Sequence, residues 1–182
     1  MEMVKSLTGN RIKGNDNLQN NGDGTIINNS VVNLGFFEKE LSKSLIFDLL
    51  QIFNDSTIDS NGSFSLIDPA DLFVKLEINN ASKHKVYALN YSDDFNKFDD
   101  VIKDFNDSSS IIKKLVKLFI DNSNDDKTGD DNLQALAGNV IQVIKHDDRY
   151  KPQYDEKLDE FVEAFILYGV YKCKVLKNPN EQ

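Results

Sequence analysis

From Phe36 onward, apolar residues return every three or four positions. That spacing gathers them along one side of a helix, and such a stripe is stable only when another surface covers it. Leu41, Leu45, Leu49 and Ile52 share a face, with Ile46, Leu50 and Phe53 beside them, and predict a helix over Phe37 to Asn54. After the loop DSTIDSNGSFSLI, Asp68 and Pro69 predict the start of a helix through ADLFVKLEINN, a capping carboxylate followed by a first-turn proline. Ser82 is placed to cap the next helix, KHKVYALNYS. Phe95, Phe98, Ile102 and Phe105 mark a further face. Ser109 or Ser110 is placed to cap a helix with Ile111, Ile112, Leu115, Val116, Phe119 and Ile120 inward. An acidic loop, Asp121 to Asp131, separates it from NLQALAGNVIQVIKHD. The last helix begins near Asp155, runs to about Val175 and turns Leu158, Phe161, Val162, Phe165 and Ile166 inward, and Asn178-Pro179 ends it. The expected fold is mainly α, a compact domain of six or seven helices over residues 35–182.

Residues 1–34 have a different character, poor in acids and rich in Asn and Gly. The apolar beads Ile12, Leu18, Ile26, Ile27, Val31 and Val32 are separated by residues that tolerate tight turns. The pattern predicts an arm of very short strands, which cannot bury its own apolar face and must pack on the helices or pair with copies of itself. TIINNSVVNLG carries no charge and no proline, so those six beads are the expected oligomerisation residues of a homo-oligomer. The plainer alternative is a disordered polar tether.

The 182 residues suit one domain, or one domain plus an arm. Asp and Glu number 30 against 21 Lys and Arg, and the formal net charge is -9. A general phosphate-backbone binder needs a basic face, so no nucleic-acid partner is expected, while a basic protein partner or mimicry of nucleic acid is allowed. Cys173 is the only cysteine, which rules out an internal disulfide, and with only His84 and His146 a zinc site has too few ligands. The opening MEMVKSLTGN lacks the apolar run of a signal peptide, and no stretch reaches about 20 apolar residues, so the expected location is cytoplasmic, without membrane contact.

Chemistry-bearing motifs are scarce. TIDSNGSFSLID places Asp59, Asn61, Gly62, Phe64 and Asp68 at the third, fifth, sixth, eighth and twelfth positions of an EF-hand-like loop. Its first position is Thr57 and its twelfth is Asp rather than Glu, so a plain turn is the simpler reading. The acidic loop 121–131 fails the same pattern and leaves only an unspecific weak cation site. His146 beside Asp147 and Asp148 has the residue types of a general base, but no nucleophile accompanies it, and a histidine at a helix C-terminus is the simpler role. His84, in KHKVY, offers no better case. Lys172 and Lys174 flank Cys173, whose apolar neighbours favour a buried structural thiol. There is no GxxxxGK[ST], GxGxxG, HExxH or GxSxG, so no cofactor or catalytic residue is assigned and a non-enzymatic chain is expected.

Two segments carry a resemblance. In the first, Pro69, Leu72, Lys75, Leu76, Asn79, Tyr87 and Tyr91 fit a "P-x-x-[LIF]-x-x-K-[LI]-x-x-N" helix followed by a Tyr-rich one. In the second, Cys173, Lys174, Val175, Asn178 and Pro179 fit "C-K-[VI]-x-x-N-P" after an aliphatic-aromatic helix. Together with the GNDNLQNNGDGTI tract, the chain resembles the C-terminal module of bacterial ABC-three-component conflict systems. The resemblance implies a module that couples an effector to an ABC-type ATPase and a small middle component, with no catalytic residues of its own. Only residues 1–34 precede the helices here, a departure that shifts the expectation from toxicity to coupling, regulation or self-assembly. The expected function is a non-enzymatic adaptor or assembly module of a bacterial antiphage system, with Lys75, Asn79, Tyr87 and Tyr91 as partner-binding residues. The alternative is an acidic inhibitor or nucleic-acid mimic that binds a basic protein surface, although Lys113, Lys114 and Lys117 interrupt the acidic runs. A motif-free enzyme using His146, Asp147 and Asp148 is a third reading.

Overall fold

A computed structural model describes residues 41–60, 70–172 and 175–179, which belong to one compact unit spanning 40–182. The arm residues Ile12, Leu18, Ile26, Ile27, Val31 and Val32 lie outside the described residues, as do Asp68, Pro69, Cys173 and Lys174. The unit is mainly helical. Its helices are α1 (Lys43–Asn54), α2 (Leu72–Ile78), α3 (Ser82–Tyr91), α4 (Phe95–Ile102), α5 (Ser108–Asn122), α6 (Gly129–Lys145) and α7 (Asp155–Lys172). Single 3-10 turns at Ser92–Asp94 and Pro152–Tyr154 lead into α4 and α7. Among the described residues there is no strand, and no helix is long and apolar enough to cross a membrane.

Helix α7 is the centre of the packing. It touches α2, α3, α4, α5 and α6, and every residue from Ala164 to Val170 is buried. The sequence pattern put one stripe of α7 inward, whereas its second half is covered on all sides. Phe98 stacks on Phe165 and Tyr168, Phe161 stacks on Phe165, and Phe53 meets the edge of Phe165 at 5.3 Å. Gly169 lies where α5 crosses, and a Cβ there would collide with Leu115 Cδ2. Each fully buried Phe or Leu contributes about 1.5–3 kcal/mol. An exposed pair such as Lys43–Asp100, with both side chains more than half open to solvent, is screened by water and adds little. The aromatic and aliphatic layer around α7 therefore dominates stability.

Helix ends depart from the sequence expectations in an informative way. Leu41 and Ser42 precede α1 instead of lying within it, because Ser42 is extended and its hydroxyl accepts from Leu45 N. Helix α2 is capped by Asp71, which accepts from Phe73 N and Val74 N, one turn beyond the expected Asp68. Asp107, rather than Ser109 or Ser110, caps α5. Helix α6 begins inside the acidic segment, with Thr128 and Asp131 forming a reciprocal capping box. Ile120, expected inward, is 53% exposed. Phe105 lies past the end of α4 and packs on Phe47 at 5.1 Å.

Two buried lysines close helix C-termini from a distance. Lys75 Nζ donates to Val170 O near the end of α7 at 3.0 Å. Lys114 Nζ donates to Asn54 O and Ser56 O, at the end of α1, which has no basic residue in its own last turn. A cation there meets carbonyls that lack intrahelical partners and the negative end of the helix dipole.

Candidate functional site

The first residues of α6 sit against the turn between α2 and α3. Gly129 N donates to Asn79 O at 2.7 Å, and a Cβ at position 129 would run into that same oxygen. Glycine is required here by close approach, and the turn itself passes through Asn80 at φ 54°. This docking carries the next residue, Asp130, to the N-terminus of α3. Helix α3 has no side-chain cap of its own: Ala81 is its N-cap, and Ser82, the expected cap, is its first helical residue. Asp130 takes that role across 46 residues of chain. Its carboxylate accepts from Lys83 N at 2.9 Å and His84 N at 3.1 Å, with Ser82 Oγ at 3.4 Å.

The same carboxylate holds the His84 side chain, which is 1% exposed, through Nδ1 at 2.6 Å. The other ring nitrogen, Nε2, faces Glu163 Oε2 on α7 at 3.6 Å. Both of those atoms are buried and make no hydrogen bond. With Nδ1–H directed at Asp130, an unprotonated Nε2 would point its lone pair at a carboxylate oxygen. Asp130, His84 and Glu163 thus line up as a polar relay that joins α6, α3 and α7. Burial works to raise the Asp130 carboxyl, but the hydrogen bonds from the His84 ring and from the backbone of Lys83 and His84 prevail and hold it below the usual value. Burial lifts the Glu163 carboxyl above its usual value, against the pull of His84 and Lys83.

Glu163 also lines a cleft of about 320 Å³ between α3, α6 and α7. Tyr87 and Tyr91 form one wall, their ring centres 6.4 Å apart and 69° inclined. Ala137, Ile141 and Val162 give it an apolar lining, and Asp159 and Glu160 join Glu163 as its acids. Glu160 also receives Lys157 Nζ at 2.8 Å. Burial raises the Tyr91 phenol, reinforced by Glu160 and Glu163. A nucleophile relay would need a hydroxyl at the imidazole nitrogen opposite the acid. Here that nitrogen faces Glu163, and the Ser82 hydroxyl sits on Asp130 itself.

Of the four expected partner-binding residues, the structure separates two from two. Lys75 is 3% exposed and holds Val170 O. The Asn79 amide donates to Lys177 O at 2.8 Å and accepts from Lys177 N at 3.1 Å. These two are spent inside the fold, where they join the two segments that carry the family resemblance. Tyr87 and Tyr91 are half-buried on the cleft, beside His84. His146 is exposed at the end of α6, with Nδ1 on Gln142 O at 2.7 Å, the capping position expected of it. Asp147 binds Arg149 through both carboxylate oxygens, which pulls its carboxyl down to about 2, far from a base poised near neutrality. Most of the 57–68 loop lies outside the described residues. In the acidic segment, Asp121 pairs with Lys117, Asp125 with Lys177, Asp130 with His84 and Asp131 with Thr128, and no group of three metal-ligating side chains forms among the described residues.

Sequence reasoning missed the relay because its members lie on three helices and no spacing rule connects them. The available signal was negative: a helix start at Ser82 without an acid in its first turn, 46 residues from a surplus of acids. Compared with known proteins, the chain matches no family model, no curated protein and no solved structure.

Proposed function

We propose that this chain is a non-enzymatic adaptor or assembly module of a bacterial antiphage or conflict system, in which the helical domain binds a partner protein and the Asn/Gly-rich arm mediates self-association. The system assignment rests on the sequence resemblance alone. Partner binding is supported by one structural observation: α3 has two working sides. Its inner side buries His84 and Ala88, while its outer side exposes Val86 at 58% and Leu89 at 71%. Two large aliphatic side chains one turn apart on a helix otherwise anchored in the fold suit an apolar contact with another protein. Many of the acids alternate with lysines and arginine in ion pairs, among them Lys43–Asp100, Lys145–Asp155, Arg149–Asp55 and Lys172–Asp99, which lends no support to a contiguous acidic face of the mimic kind.

Light scattering coupled to size exclusion, on the full chain and on a chain beginning at Gly35, tests the assembly half. A defined oligomer that becomes a monomer on truncation is the expected outcome. Two monomers would remove self-association from the proposal. Leu89→Lys tests the other half: it should abolish partner binding and leave the unfolding transition in place, and unimpaired binding by this variant would remove α3 from the interface.

A further inference from the structure

We propose that the cleft between α3, α6 and α7 receives an alkylammonium group, the side chain of a lysine on the partner protein, between the rings of Tyr87 and Tyr91 and the carboxylates of Glu160 and Glu163. This deepens the adaptor reading and rests on it for the identity of the lysine's owner, while the chemistry of the cleft stands by itself.

Three features converge on a cation with an aliphatic stem. Tyr87 and Tyr91, packed edge to face, bring two aromatic rings to the cleft, and aromatic ring faces attract ammonium groups. Asp159, Glu160 and Glu163 supply negative charge on the opposite wall, and the protein's own lysines respond to both elements: Lys83 Nζ lies 5.4 Å from the Tyr87 ring centre, and Lys157 Nζ rests on Glu160. Ala137, Ile141 and Val162 suit the methylene stem that a lysine buries while its charge stays hydrated or paired. The volume of about 320 Å³ is at the small end for ligand clefts and fits a side chain better than a nucleotide.

The acids alone would not make a site, and the independent observation is His84. This fully enclosed imidazole aims an unpartnered Nε2 at Glu163, the carboxylate that lines the cleft. An ammonium group arriving beside Glu163 favours its ionised form, and the ring behind that carboxylate is fixed in place by Asp130 through Nδ1. A divalent metal fits less well, since no group of three ligating side chains forms among the described residues.

The test is nuclear magnetic resonance titration of the full chain with a lysine-bearing tripeptide, its norleucine counterpart and spermidine. Expected are shifts confined to the tyrosine ring signals and the α7 amides on adding the lysine peptide, none with norleucine, and affinity for spermidine no more than a few-fold tighter. Tyr91→Leu and Glu163→Gln should each weaken lysine-peptide binding by about tenfold. Glu160→Gln, on the more open side of the cleft, repeats the measurement if Glu163→Gln disturbs the fold. Absence of shifts with every probe, or equal shifts with norleucine, overturns the inference. Spermidine binding at least tenfold tighter than the peptide also overturns it, pointing to a free polyamine as occupant. Any of these failures leaves the light-scattering and Leu89→Lys results untouched, so the adaptor reading is judged separately.

Discussion

Removing the Asp130 carboxylate strikes three helices at once, and the size of the loss can be worked out. Asp130 accepts from two α3 backbone amides that have no other acceptor of that kind, a service that in an ordinary N-cap is worth about 0.5–2 kcal/mol. It is also the partner of His84 Nδ1, a donor inside the protein, and a buried donor stripped of its acceptor costs about 1–3 kcal/mol. Partial exposure of the carboxylate admits some water as a substitute, so Asp130→Ala is expected to cost about 2–3 kcal/mol rather than the full sum. Against a total of about 5–15 kcal/mol this is a large share. Asp130→Asn keeps an acceptor oxygen but loses the charge and should fall between the two. Asp131→Ala, which opens only the capping box of α6, is the matched control. Urea unfolding followed by far-ultraviolet circular dichroism reads all four proteins. If Asp130→Ala shifts the midpoint no further than Asp131→Ala does, Asp130 is not the cap of α3 and does not tie α6 to it.

Gly129→Ala should destabilise by about 1–3 kcal/mol, because its Cβ meets Asn79 O and forces α6 off the α2–α3 turn; thermal melting checks this, and a neutral result would mean that the turn yields freely. Gly169→Ala should cost a similar amount by colliding with Leu115, and combining it with Leu115→Ala should cost clearly less than the two single changes added together, which a double-mutant cycle measures. The Asp147 carboxyl is depressed to about 2 from 3.8, so its contribution is present above pH 3.8 and fades as the pH falls towards 2. Arg149→Ala should return that carboxyl to its ordinary value in an NMR titration and cost no more than about 1 kcal/mol at neutral pH, since the pair is partly open to solvent; the Asp147 part of the difference from the parent should vanish below pH 2.

The sequence is most legible where a single helix decides its own fate. Leu49, Ile52 and Phe53 repeat at helical spacing and are buried, and the same holds for Phe98, Leu115 and Phe161. It is less legible at helix ends, where competing caps stand within one turn of each other: Asp107 precedes Ser109 and Ser110, and its carboxylate is the better acceptor for Ser110 N. It is least legible for the relay. His84 sits among lysines in the sequence, which reads as surface, and its burial depends on Asp130 and Glu163 arriving from α6 and α7. Lys75 misleads in the same way, because a lysine is expected outside unless a distant carbonyl is known to await it.

The enclosure of α7 has a consequence for how the chain is made. The helix on which α2 to α6 pack is the last of the seven to emerge from the ribosome. About ten seconds separate the synthesis of Asn54, ending α1, from that of Lys172, ending α7, at about 5–20 residues per second. Through that interval α1, α4, α5 and α6 have one another for cover, and only the faces of α4, α5 and α6 that meet α7 stay open. The core is therefore completed in one late event, when α7 arrives and the aromatic layer around Phe165 closes on it.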